Sequence, residues 1–395
     1  MSAATSIALE RIMPPRLGSV DPSTFPDEEF DLYSIPAFDQ GKPEVLQGSA
    51  IGSAKQIVQP ADVLLSRIVP HIRRAWVVGD DRGRRIIASG EWIVFRGENI
   101  EPRYLRHVLV GDPFHAEFMR TVSGVGGSLL RARPAYVAKI KIPLPSLPEQ
   151  RRIAAILDKA DELRAKRRAA LAQLDRLTQS IFLDMFGDPI RNDRDWPIKP
   201  VGHFVAGFET GKNLVANDED DDSTELRVLK VSAVTSLRFR PEESKPLPSD
   251  YVPPPSHFVR KDDLLFSRAN TQELIGATAL VKHAPEGLVL PDKLWRFTWH
   301  DEPRADPHFV HWLFRQPRFR FELGRRATGT SGSMKNISQE KVLDIKVALP
   351  GLLLQRKFGR IAYAIDRLRQ TGEEALSTTN TAFISLQHRA FRGEL

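Results

Sequence analysis

Between Pro148 and Pro189, apolar and small residues recur at alternating steps of three and four. They are Ile153, Ile156, Ala160 and Leu163, then Ala170, Leu174, Leu177 and Ile181, with Arg167 interrupting the series. This spacing predicts one α-helix with a narrow apolar seam, which suits packing against another helix better than packing on a broad core. Ala, Leu, Arg, Lys and Gln dominate the stretch, and all favour helix. Pro148 suits a first turn, and Gly187-Asp188-Pro189 is a stop signal. About 37 residues rising ~1.5 Å each make a rod of roughly 55 Å, a spacer rather than a core helix.

A second copy ends the chain. A shift of 205 residues carries Ile140-Lys-Ile-Pro-Leu-Pro onto Ile345-Lys-Val-Ala-Leu-Pro, and Gln150-Arg151 onto Gln355-Arg356. The seam positions Ile156, Ala160, Leu163 and Ala170 land on Ile361, Ile365, Leu368 and Ala375. Beyond them the copy degrades: Leu174 meets Thr379 and Leu177 meets Ala382. Two such helices can bury their seams against each other as an intramolecular antiparallel coiled coil.

The rest of the chain is also doubled. After a Pro-rich lead to about Asp31, strand-like text runs through Leu32–Phe38, Ala61–Ile68, Ala75–Val78, Arg85–Ala88 and Trp92–Phe95. Pro102–Val110 and Pro113–Val122 read as short helices, and the Gly-rich loop Ser123–Ser128 follows. From Asp195 to Pro350 the order repeats. Asp263-Leu-Leu-Phe-Ser-Arg268 answers Asp62-Val-Leu-Leu-Ser-Arg67, Pro307–Val310 answers Pro102–Leu105, and Gly329–Ser333 answers Gly124–Ser128. The expected fold class is α+β: two similar mixed α/β domains separated by two long helices, with an internal pseudo-twofold. The boundaries are 1–147, 148–189 (spacer helix), 190–351 and 352–395 (C-terminal helix).

Composition narrows the setting. The chain has 395 residues, no cysteine, a formal net charge of +7 and a pI near 9.6. It therefore has no disulfide or thiolate metal site, and a modest bias toward polyanions. No apolar run reaches the roughly 18 residues of a membrane helix. Met1–Glu10 lacks the features of a signal peptide, and a cytoplasmic location is expected.

A search for catalytic patterns yields no catalytic residue and no metal site. Gly41-Lys42 and Gly211-Lys212 lack the upstream glycine of a nucleotide-binding loop. His308 and His311 stand beside no carboxylate cluster, and Asp218–Asp222 reads as a solvated loop. Glu243-Ser-Lys245 is half a nuclease motif without a partner Asp, and Pro14-Pro15 and Pro253–Pro255 lack the flanks of an adenine methyltransferase motif. The glycine loops do not follow a strand within a βαβ pattern, so a dinucleotide fingerprint is not supported.

Paired polar and basic loops remain. Ser66-Arg67 and Ser267-Arg268 close matching strands, with Arg73, Arg74 and Asn270 close behind. Ser128, Arg131 and Arg133 follow one glycine loop; Ser333, Lys335 and Asn336 follow the other. Hydroxyls and cations on such loops suit phosphates, and Arg and Asn pair bidentately with guanine and adenine edges. Taken singly, each residue also fits ordinary turn chemistry.

The arrangement resembles the specificity (S) subunit of type I restriction-modification systems over nearly the whole chain. The resemblance rests on Leu144-Pro-Ser-Leu-Pro-Glu-Gln-Arg151 with Arg152–Asp158, on Phe186–Pro189, on Gly332-Ser333 with Asn336–Ser338, and on Arg389–Glu394. Leu354 in place of Glu149, and Gly372 in the second seam, are departures that bear on the regularity of the second helix. The resemblance implies that each domain reads half of a split double-stranded DNA site, while the helices set the unread spacer and dock two modification (M) subunits. S-adenosylmethionine would belong to the M subunits, and ATP with Mg to the restriction (R) subunits. No cofactor and no catalysis are expected of this chain. Two other readings stay open: a coiled-coil scaffold without direct DNA readout, and an enzyme with an unrecognised site such as a lone nuclease.

Overall fold

The structure, a computed structural model, describes residues 6–124, 130–213, 226–247, 251–329 and 334–395. The chain divides into two compact units, 1–169 with 373–395, and 170–372. The long helices Leu147–Phe186 and Leu352–Arg392 each contribute one part to each unit.

In the first unit, Ser6–Ala8 pairs antiparallel with Lys141–Pro143, the strand that feeds the first long helix. Glu29–Tyr33 lies parallel to Arg85–Ala88 and antiparallel to Glu44–Gln47 in a five-stranded sheet. Val63–Ser66 runs between Ala75–Val77 and Trp92–Phe95 in a second sheet. Helices Pro102–Val110 and Asp112–Met119 follow. The core joins Leu65, Phe95, Tyr104 and Leu105 to Ile153 and Leu157 of the first long helix, and to Phe383 and Ala390 of the second. One expectation needs correction: Leu32–Phe38 is not a single strand. Helix takes over at Ile35–Gln40, because the Ser34 hydroxyl accepts the Ala37 N–H at 3.0 Å and a proline fits the first turn.

The second unit repeats this order. Ile198–Pro200 pairs with Lys346–Ala348. Arg227–Leu229 lies parallel to Leu288–Val289 and antiparallel to Ser244–Pro246. Leu264–Ser267 runs between Leu294–Trp299 and Thr278–Leu280, and helices Pro307–Arg315 and Pro317–Arg326 follow. Phe182 and Phe186 of the first long helix pack on Phe309, with ring centroids 5.7 and 4.9 Å apart, and on Phe358 at 5.4 and 5.5 Å.

Within each unit the long helices run antiparallel. In the first, Arg152 donates to the Leu395 carbonyl and Arg164 to the Asn380 side chain, so one numbering rises as the other falls. In the second, Leu171 meets Gly372 while Phe182 meets Phe358. The seam matches the apolar letters only in part. Ile153 and Ile365 are buried; Ile156, Ala160, Leu174, Ile181, Ile361 and Ala375 are half-buried. Ala170 faces outward, and Leu163, Leu177 and Leu368 are 45%, 48% and 64% exposed. The buried stripe passes instead through Arg164 and Arg369. Arg164 lies 4.2 Å over the Phe383 ring and donates to Asn380 at 2.8 Å and to Asp161 at 2.9 Å. Arg369, at the same place in the repeat, donates to Asp366 at 3.2 Å. A long arginine buries its stem while its head keeps partners, so a charged letter can mark the inside of a helix pair. Gly372 does not break the second helix. A β-carbon there would stand 2.9 Å from Leu171 Cδ2, so the glycine admits a close helix approach.

The repeated Gln-Arg motif has a structural meaning. Gln150 is buried; its carboxamide oxygen accepts the Glu101 N–H at 2.9 Å, and its nitrogen donates to the carbonyls of Pro145 at 2.9 Å and Asn99 at 3.2 Å. Gln355 is likewise buried, accepting from Asp306 N–H at 3.0 Å and donating to the Pro350 carbonyl at 2.7 Å. Each clips the start of a long helix to the residue just before a proline-led helix. Gln150→Met keeps the volume but strands a buried N–H and two carbonyls, and is expected to destabilise the first unit by roughly 2–4 kcal/mol. Urea unfolding followed by a probe in that unit checks this; an unchanged midpoint would refute it.

Candidate nucleic-acid interface

The matching strands Val63–Ser66 and Leu264–Ser267 end in buried serines. Ser66 Oγ donates to the Ile68 carbonyl at 3.1 Å, and Ser267 Oγ donates to that of Ala269 at 3.4 Å. Asn270 donates to Ser267 Oγ at 3.4 Å and accepts the Thr271 N–H at 2.9 Å. These three side chains shape the turns after the strands.

The next residues carry charge. Arg67 Nε donates to Glu91 at 3.1 Å, and Arg131 Nη2 donates to the other oxygen of that carboxylate at 3.2 Å. In the second unit Arg268 stands 3.9 Å from Asp292 and 5.8 Å from the Trp295 ring. Glu91 and Asp292 occupy the same place in the repeat, 201 residues apart, as do Arg67 and Arg268.

Short ladders bring the glycine loops to these arginines. Val122–Ser123 pairs with Arg131–Ala132, and Ile68 bridges to Arg131. Correspondingly, Thr328 bridges to Asn336, and Ala269–Asn270 pairs with Lys335–Asn336. Gly124 and Gly329 open the loops with φ of +132° and +151°, a backbone region open to glycine. Ser128 and Ser333 lie outside the described residues. In one unit Arg67, Glu91 and Arg131 cluster; in the other Arg268 stands near Asp292, and Asn336 pairs with Ala269, the residue after Arg268. Arg268 and Asp292 also line a cavity of about 340 Å³ with Gly211, Trp295 and Gln339.

Other candidates serve their own unit. Arg73 donates to Asp112 at 2.5 Å and to the Val110 carbonyl at 3.1 Å, and Arg74 grips Asp39 with two bonds of 2.9 and 3.0 Å. Lys335 Nζ turns back to the Gly329 carbonyl at 2.9 Å. Arg133 donates to Ser123 Oγ at 2.8 Å. The sequence reading missed Tyr136. This exposed ring has Arg133 at 5.7 Å and Lys139 at 5.9 Å. With Arg131 and Lys141, the stretch 131–141 holds four cations and no acid, whereas 336–346 balances Lys341 and Lys346 against Glu340 and Asp344.

The remaining chemical candidates are structural. His311 is buried with its Nδ1 2.9 Å from Thr278 Oγ1, His308 packs edge-on to Tyr363, and Glu243 accepts from Ser232 Oγ at 2.6 Å. Among the described residues, no group of His, Asp and Glu could hold a metal ion, and no helix is long and apolar enough to cross a membrane. Asp218–Asp222 lies outside the described residues.

The family model for the type I restriction modification DNA specificity domain matches residues 84–173. The EcoEI specificity subunit of Escherichia coli is 29% identical over 163 residues, 41% of this chain and 27% of that protein. The EcoKI specificity subunit of Escherichia coli K12 is 26% identical over 286 residues, 68% of this chain and 61% of that protein. The chain is thus similar to the type I specificity subunits. It spans less than two thirds of the length of either relative. The S subunit of a type I system from M. genitalium shares its fold, with a TM-score of 0.56 over 98% of this chain and 96% of its own, at 11% identity. The matched stretch contains Glu91, Arg131, Arg133, Tyr136 and the Gln150 clip.

Two buried histidines make stability depend on pH. Burial, with Arg106 beside it, pushes His107 below its ordinary value, and Asp158 at 2.7 Å offsets this only in part. Burial, with Arg315 nearby, pushes His311 well below. Both stay neutral in the fold while the unfolded chain takes up protons near pH 6.5. Stability is therefore full above about pH 6.5 and falls below it, by up to about 1.4 kcal/mol per pH unit for each histidine. Urea unfolding at pH 7.5 and 5.5 should show this loss. His311→Gln should flatten it in the second unit.

Proposed function

We propose that this chain is the DNA sequence-recognition subunit of a type I restriction-modification complex. Each unit reads one half of a bipartite double-stranded site, and the long helices set the unread gap. The observation that carries this reading is the recurrence, at equivalent positions of both units, of a strand-end arginine, its carboxylate, and an Arg or Asn just after a glycine loop. One binding surface would need one such cluster; a split site needs two. Recognition subunits of this kind generally leave catalysis to other subunits. In this reading the chemistry comes from two M subunits carrying S-adenosylmethionine and from R subunits using ATP and Mg, all in the cytoplasm. Leu163 and Leu368, equivalent in the repeat and both turned outward, supply an apolar contact on each helix for paired M subunits.

Phosphate contacts release counterions, so affinity should fall on the order of 10³-fold or more between about 50 and 200 mM salt. Binding of the assembled complex to its site, measured across salt, checks this, and a flat response would favour a scaffold that touches no DNA. Deleting one heptad from both long helices removes ~10 Å of rod, about three base pairs of B-DNA. The methylated motif should then keep both half-sites and change its gap. An unchanged gap would show that the helices do not set it.

A further inference from the structure

We infer that Arg131 and Asn336 are the matched base-reading positions of the two units, Arg131 for guanine and Asn336 for adenine. The inference rests on the DNA-recognition reading above and names the residues that give each unit its letter.

Ser66 and Ser267 are buried, and they and Asn270 bond to their own turns. Arg73 and Arg74 are committed to Asp112 and Asp39, and Lys335 to the Gly329 carbonyl. Arg131, though paired with Glu91, and Asn336 are both exposed, and both sit just past a glycine loop. They also share a register, since Ile68 bridges to Arg131 as Ala269 pairs with Asn336.

The surroundings then distinguish them. Glu91 accepts Arg131 Nη2 on one oxygen at 3.2 Å and Nε at 3.5 Å on the oxygen that also takes Arg67, so the carboxylate holds the Nε edge of Arg131 and aims its Nη end, while half of that side chain remains exposed. A planar fork of donors matches the two acceptors of guanine, O6 and N7, in the major groove. In the second unit Asp292 has Arg268 nearby, and the place of the second cation is taken by a carboxamide. A carboxamide offers one donor and one acceptor, the complement of adenine N7 and N6. The scaffold is common to both units; the side chain at this one place differs.

The test uses cells producing the full chain with its M subunits and maps adenine methylation genome-wide for the parent, Arg131→Asn and Asn336→Arg. The parent motif should contain a G·C pair in one half-site that Arg131→Asn no longer requires, with preference there falling about 10- to 100-fold. Asn336→Arg should relax an A·T pair in the other half-site. In each variant the opposite half-site and the gap should stay as they were. A second variant, Arg131→Lys, keeps a cation beside Glu91 but loses the planar fork, so it should weaken the same guanine preference even if Arg131→Asn fails to accumulate. Unchanged half-sites in these variants would overturn the inference while leaving DNA recognition standing. Methylation weakened evenly across an unchanged motif would also overturn it, since that marks a phosphate contact. A parent chain that directs no two-part motif would instead sink the reading on which the inference rests.

Discussion

A carboxamide can be buried only if its oxygen and nitrogen keep hydrogen-bond partners, and Gln150 and Gln355 meet that condition in the same way. Each ties three things together: the proline-rich lead-in before a long helix, the helix itself, and the residue before a proline-led helix of the unit. The long helices could not take a defined direction from seam packing alone, because a narrow seam tolerates rotation and sliding. A buried amide with fixed partners does not tolerate either. Helix direction is thus set at the base of each unit, where the pairs Ser6–Ala8 with Lys141–Pro143 and Ile198–Pro200 with Lys346–Ala348 also converge.

The duplication was visible in the letters because the repeated features are those that backbone geometry demands. A glycine at φ of +132° or +151° and a proline at a helix start are hard to replace, so they persist after side chains drift. Element types followed from period and turn residues for the same reason. The helix seam followed only in part. The apolar letters marked Leu163, Leu177 and Leu368, which face outward, and passed over Arg164, which bonds to the partner helix, and Arg369, which is buried. Periodicity finds a helix face, but it assigns that face by polarity, and an arginine with an adjacent aspartate and an aromatic ring escapes that rule.

The candidate site was readable as a set of positions and unreadable as a set of roles. Arg67, Arg73, Arg74, Arg131 and Arg268 look alike in the sequence. Their partners lie 24 or more residues away, on Glu91, Asp112, Asp39 and Asp292, and only the fold brings them together. Tyr136 was missed because a single tyrosine between two cations has no period and no motif; its meaning comes from Arg133 and Lys139 standing on either side of it in the chain and within 6 Å in space.

The two units differ most where their scaffold constrains them least. The ladders, the glycines, the buried serines and the glutamine clips recur, and all are held by backbone bonds or by burial. At the residue after each glycine loop the backbone is in a ladder but the side chain is exposed, and there one unit has arginine and the other asparagine. The stretches that follow differ as well, four cations without an acid in 131–141 against a balanced 336–346. A duplicated protein that needed one surface twice would gain nothing from such divergence. One that must read two different half-sites requires it, since like clusters would read like sequences. On the proposed split-site reading the divergence falls where a reader must vary, while the carboxylates Glu91 and Asp292 stay in place.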